Sequence, residues 1–217
     1  MNPALPKTYG GQERKNGVNI AVFCSGNGTN LQAIIDSQKK GYIKADIKLV
    51  VSDTSDCYAL TRAKNAGINI LVVERKNFKT KKDFETEILK ALKKENIGLI
   101  VLAGYMRMLS GDFIAGYENK ILNIHPALLP SFKGTQGIKD AFKYGVKITG
   151  PTVHFVTQDM DSGPVILQSP VKVTEDDTEE TLAEAIHEEE HKIYPRAVQL
   201  FVDGKLKIEG KRVKILD

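Results

Sequence analysis

The sequence has 217 residues, of which 41% are hydrophobic and 27% charged, with a formal net charge of +4. No stretch approaches the roughly 18 apolar residues of a membrane span, and so small a charge leaves no nucleic-acid footprint, which excludes both partner classes at this level. Cys24 and Cys57 lack CxxC spacing, so neither a disulfide framework nor a metal clip is expected, and a reducing, cytoplasmic setting follows.

Residues 1–17 contain Pro, Gly and charges but no apolar h-region. They read as a flexible extension rather than a secretory signal, which leaves 18–217 as one catalytic domain. From Val18 onward, apolar runs, turns and amphipathic segments alternate, the pattern of βαβ units in a mostly parallel sheet. Strands are expected at 18–24, 47–51, 68–73, 98–103 and 121–125. A helix at 80–96 is the clearest, with Phe84, Ile88, Leu89 and Leu92 on one face and lysines and glutamates opposite.

After Pro130 the pattern gives a helix near 137–144, then strands at 152–156 and 164–173 that read as a hairpin-like pair. A long acidic helix follows, with Thr178 as N-cap, Glu179 and Glu180 suiting the helix dipole, and Glu184 or a neighbour reaching back. Pro195 is expected to kink or restart it, and 205–216 to form a small edge hairpin. The expected fold class is therefore α/β: a single-domain, Rossmann-like, mostly parallel sheet flanked by helices, with a C-terminal strand pair and long helix.

Three segments carry chemistry. In the first, a strand runs through Ser25-Gly26-Asn27-Gly28-Thr29-Asn30 into a helix. Glycines admit a ligand close to the backbone, and the free N–H groups at the helix start favour an anion. A dinucleotide fingerprint wants a glycine where Leu31 stands, and a triphosphate loop wants Gly-Lys-Ser/Thr, so a monophosphate fits best. A plain strand-to-helix turn is the alternative.

In the second segment, Asn123 and His125 stand two apart on a strand and project together at its carboxyl end, where open α/β sheets bind ligands; Pro126 ends the strand. In the third, Asp161 lies in a polar loop ahead of Gly163-Pro164, free to be aimed at His125. A carboxylate beside an imidazole favours its protonated form and fixes its orientation, which suits acid–base work near neutral pH. His154 reads as a strand residue satisfied locally, and Asp161 alone reads as a turn residue.

With Leu102-Ala103-Gly104-Tyr105-Met106-Arg107-Met108-Leu109-Ser110, Asn123-Ile124-His125-Pro126 and Val153-His154-Phe155-Val156 in this order, residues 18–204 resemble the phosphoribosylglycinamide formyltransferase family. The resemblance implies transfer of a formyl group from 10-formyltetrahydrofolate to the amino group of a phosphoribosyl-glycinamide in purine synthesis. It implies that Gly28, Thr29 and Asn30 hold the ribotide phosphate and that His187 and Glu190 contact the ribotide. Asn123, His125 and Asp161 are the implied catalytic group. Lys81, Met106, Arg107, Met108, Leu109 and Asn123 are the implied folate contacts. Read from residues alone, Tyr105, Met106 and Met108 are core, while Arg107 is a charge amid apolar neighbours that needs a reason.

The implied partners are the small molecules alone, with no metal, nucleic acid or membrane, and a monomer or weak homodimer. The chain departs from the family at Ala127 (usually serine), Lys133 (usually proline), His187 (usually Gln or Lys) and Lys81 (arginine in some relatives). Three rival readings remain. His187-Glu188-Glu189-Glu190-His191 matches HExxH, but the only carboxylates beyond it are Asp203, Glu209 and Asp217, in turn or edge regions. A methionyl-tRNA formyltransferase or formyltetrahydrofolate hydrolase normally carries an added domain, and a non-enzymatic binding module has no need of Asn123, His125 and Asp161 together.

Overall fold

The structure, a computed structural model, describes residues 17–217, so the expected extension at 1–17 lies, apart from Gly17, outside the described residues. Alternating side chains of β1 (Asn19–Cys24) show how the core is divided: Ile20, Val22 and Cys24 enter one buried cluster, while Ala21 and Phe23 enter the other. On the first face lie α1 (Thr29–Lys39), α2 (Tyr58–Asn65) and α6 (Glu179–Val202), and on the second α3 (Lys81–Lys94) and the short α4 (Gly111–Gly116). Burial on both faces explains why these strands read as continuous apolar runs.

Parallel strands β3 (Asn69–Val72), β2 (Asp46–Ser52), β1, β4 (Ile97–Leu102) and β5 (Ile121–His125) lie in that spatial order. The order reverses between β1 and β4, which opens a crevice at their carboxyl ends. Antiparallel β7 (Thr152–Phe155) and β8 (Val165–Gln168) extend the sheet beside β5, and the expected tail hairpin, β10 (Leu206–Glu209) with β11 (Arg212–Ile215), closes that side to give nine strands.

The expected strand at 164–173 is two strands in two sheets: β8 in the main sheet and β9 (Val171–Lys172) paired with β6 (Ile148–Thr149). Pro170 lacks the N–H a ladder needs, and the change of sheet occurs there. β6, α4 and the 3-10 turn Arg75–Asn77 are additional to the expected elements, each being too short to show a periodicity in the sequence. Thr178 does cap α6, but its reciprocal partner is the Thr181 hydroxyl rather than Glu184. Nor does Pro195 restart the helix, which runs unbroken through it. The ladder bond lost at proline is outweighed by burial of Ile193, Tyr194, Ala197 and Val198 around it. Helix α5 (Gly137–Tyr144) lies where expected, and among the described residues no helix is long and apolar enough to cross a membrane.

Candidate active site

At the end of β1 the chain turns into α1 through Gly28, whose φ is 76°. A Cβ there would lie 2.6 Å from that of Ala59, so only glycine lets this loop approach α2 so closely. No side chain caps α1 at this end, which leaves the N–H groups of its first turn for a ligand. Arg62 braces the loop from α2, its Nε donating to Asn27 O at 2.9 Å and its Nη2 to Asn27 Oδ1 at 3.0 Å. Glu190, buried on α6, accepts from Asn30 Nδ2 at 2.8 Å and pairs with His187 Nδ1 at 2.9 Å. Asn30 thus forms one group beside the loop with Glu190, 160 residues further along the chain, and with His187.

Asn123 and His125 stand at the end of β5 as expected, and across the ladder Asn123 faces His154 on β7. His154 Nδ1 donates to Phe155 O at 2.9 Å, because a carbonyl can only accept, so its Nε2 is the acceptor. That nitrogen receives the Asn123 amide at 3.2 Å, which fixes the amide's orientation and leaves its second N–H available. His154 is therefore satisfied locally, as its strand position suggests, yet it also orients the candidate catalytic amide.

The same logic fixes His125. Its Nε2 donates to Phe132 O at 2.7 Å, and its Nδ1 faces Asp161 Oδ2 at 3.5 Å. Asp161 takes a left-handed φ of 48° and is held by the Gly134 N–H at 2.8 Å, while its Oδ1 lies 3.7 Å from His154 Nε2. Lys133, the family departure, donates to Ser162 at 2.6 Å and so ties the loop after β5 to the Asp161 loop. Ala127 is fully buried, and its carbonyl accepts from the Thr152 hydroxyl at 2.7 Å. The first residue of α5 is Gly137, whose Cβ position lies 3.1 Å from His125 Nε2, so a side chain there would press on the imidazole.

Met106 and Met108 are not core: they are 70% and 54% exposed, at the crevice between β1 and β4. Leu109 and Tyr105 instead pack inward, Tyr105 edge-on to Phe23. The reason for Arg107 is Asp53, whose Oδ2 its Nε meets at 2.6 Å. Glu85 is buried on α3 and accepts from Ser110 N at 2.8 Å, and Lys81 reaches it at 3.8 Å, so Lys81 sits at the far end of the same loop. Asp53, Arg62, Glu85 and the carbonyl of Phe132 had no sequence signal, since each acts on a residue distant in the chain. Among the described residues, no three His, Cys, Asp or Glu side chains are placed to hold a metal ion.

These environments set a pH dependence. Burial holds His154, and likewise His191, below the usual 6.5. The unfolded chain therefore binds those protons first, so the stability they confer is present above about 6.5 and lost as pH falls. His187 has the opposite sign: its bond to Glu190 raises its pKa, and that contribution fades as pH rises through the folded value. His187 is half exposed, so the buried His154 dominates. The melting temperature is expected to fall between about pH 7 and about pH 5.5, and His154→Gln to flatten the slope; a flat wild-type profile would refute this.

Residues 18–198 match the family model described as formyl transferase. The phosphoribosylglycinamide formyltransferase of Escherichia coli is 40% identical over 191 residues, 88% of this chain and 90% of that protein. A solved glycinamide ribonucleotide transformylase from Symbiobacterium toebii superimposes with a TM-score of 0.91 at 45% identity, covering 94% of this chain and 96% of that one. The trifunctional purine biosynthetic protein adenosine-3 of Gallus gallus is 44% identical over 94% of this chain, which spans only 20% of that relative's length. With the Asn123, His125 and Asp161 cluster at the ends of its strands, the chain belongs to the formyl transferase family.

Proposed function

We propose that this chain transfers the formyl group of 10-formyltetrahydrofolate to the amino group of N1-(5-phospho-D-ribosyl)glycinamide, giving the N-formyl product and tetrahydrofolate in purine biosynthesis. The observation that carries the reading is that a phosphate-type loop after β1, the exposed Met106 and Met108 after β4 and the Asn123–His125 pair of β5 with Asp161 stand on neighbouring strands of the sheet, in a chain related to enzymes of that name. Residues 18–217 act as a single catalytic domain in the cytoplasm, as a monomer or weak homodimer, with no nucleic acid or membrane partner.

The ribotide phosphate sits on the N–H groups of Gly28, Thr29 and Asn30, with Glu190 and His187 beside its sugar. A folate fits against Met106 and Met108, with main-chain groups of 106–109 reading its ring edge and Arg107 and Lys81 near its acidic tail. The substrate amine is the nucleophile, so neither a metal nor a covalent enzyme intermediate is needed. As the amine attacks, the free N–H of Asn123 donates to the formyl oxygen, where negative charge develops. His125 moves the proton from Nδ1, the nitrogen not engaged by Phe132, and Asp161 stabilises the charged ring. The proton lost by the amine ends on the departing folate nitrogen.

The direct test follows folate absorbance with and without the ribotide. Turnover is expected only when both are present. Deformylation without acceptor would make the chain a hydrolase, and binding without turnover a non-catalytic module.

A further inference from the structure

Asp53 belongs to none of the groups assigned a substrate above, yet it sits where β1, β2 and β4 end, at the point where strand order reverses. Its Oδ1 accepts the Ser25 hydroxyl at 2.5 Å and its Oδ2 accepts Arg107 Nε at 2.6 Å. Ser25 Oγ in turn accepts from Met106 N at 3.0 Å, and Ser25 N donates to Gly104 O at 3.1 Å. One carboxylate thus joins the phosphate loop to the loop that follows β4. Its side chain is 6% exposed, against 41% for Arg107.

Arg107 is the single charged residue in 103–110, so Asp53 decides what charge this loop shows. The other carboxylate nearby, Glu85, is engaged by Ser110 and Lys81 and does not compete for the guanidinium. Because Arg107 Nε is bound inward, the loop presents a pair whose formal charges cancel rather than a bare cation. The folate that meets this loop carries glutamyl carboxylates on its tail.

We propose that Asp53 is a specificity-determining residue for the folate: by neutralising Arg107 it makes the loop select the ring system and gives longer anionic tails little advantage. The inference rests on the formyl-transfer reading and acts through Arg107. A bare guanidinium at the same place attracts any polyanion, which raises affinity for the tail at the expense of discrimination.

The test is a charge series in the full chain: wild type, Asp53→Asn, Arg107→Gln and the double variant. Folate KM and Kd are measured for mono- and triglutamyl 10-formyltetrahydrofolate at low and high salt. Asp53→Asn is expected to lower the folate KM by about three- to tenfold, more for the triglutamate and less in high salt. Arg107→Gln raises it by a similar factor, and the double variant returns to within about twofold of wild type. The ribotide KM does not follow the series.

An Asp53→Asn protein whose folate KM and salt dependence match wild type overturns the inference. So does one that raises both substrates' KM, which would make Asp53 a scaffold for the two loops, or a double variant as poor as Arg107→Gln. If the variants show these shifts in folate Kd but no protein of the series turns over, the charge balance stands and the formyl-transfer reading fails. If none of the four proteins binds folate, both fail.

Discussion

His125→Ala is expected to lower kcat by about 100- to 10,000-fold, and Asn123→Ala by about 100- to 1000-fold, in steady-state assays with both substrates saturating. The reasons differ. Asn123 supplies a pre-aimed N–H whose value appears only as charge develops on the formyl oxygen, and His154 has already fixed its direction. His125 supplies the proton, and no other imidazole can substitute, because His154 holds its Nδ1 proton on Phe155 O and points its Nε2 lone pair at Asn123. Loss of His125 also strips a donor from Phe132 O, so a cost of about 1–3 kcal/mol in stability accompanies the lost rate. The folded far-UV signature should persist in both variants. Turnover within tenfold of wild type in either would refute the assigned roles.

Gly163→Ala is the second large effect, and it acts through the backbone. A Cβ at 163 would lie 1.8 Å from Phe155 O, inside the contact distance of any two atoms. That carbonyl already accepts from His154 Nδ1, and the Phe155 N–H donates to Pro164 O at 3.0 Å, so the strand cannot withdraw without breaking both bonds. The loop carrying Asp161, two residues earlier, must move instead. A loss of at least about 3 kcal/mol follows, or about 6–12 °C in melting temperature for a chain of this size. Activity should fall with it, since Asp161 faces His125 and Gly134 from that loop. A Gly163→Ala protein melting within about 2 °C of wild type and fully active would show that the loop relaxes freely.

What was legible in the sequence was what local periodicity encodes. Phe84, Ile88 and Leu92 announced α3, and the two-residue spacing of Asn123 and His125 placed both on one face at a strand end. What was not legible depended on which strands become neighbours. Nothing in the sequence near His154 says that it will stand opposite Asn123, because that pairing is a register between β5 and β7, residues 31 apart. Asp53 and Arg107 meet only because β1 separates β2 from β4 in the sheet. The exposure of Met106 and Met108 ran against their apolar character for the same reason: they follow a buried strand but lie at a crevice mouth. Pro195 failed as a signal because a local preference for breaking the helix was outweighed by tertiary burial.

A nine-stranded open sheet must end somewhere, and an unpaired strand edge is a template on which another chain can add itself. At the β10 end the hairpin answers this with charge. Glu209 lies within 3.0 Å of Lys207 on its own strand and 2.7 Å of Lys214 on β11, so any strand arriving there must first desolvate a cluster of three charges. Growth of the sheet into fibrous aggregates is thereby disfavoured at this edge, which is separated from β1 by five intervening strands and leaves the crevice untouched.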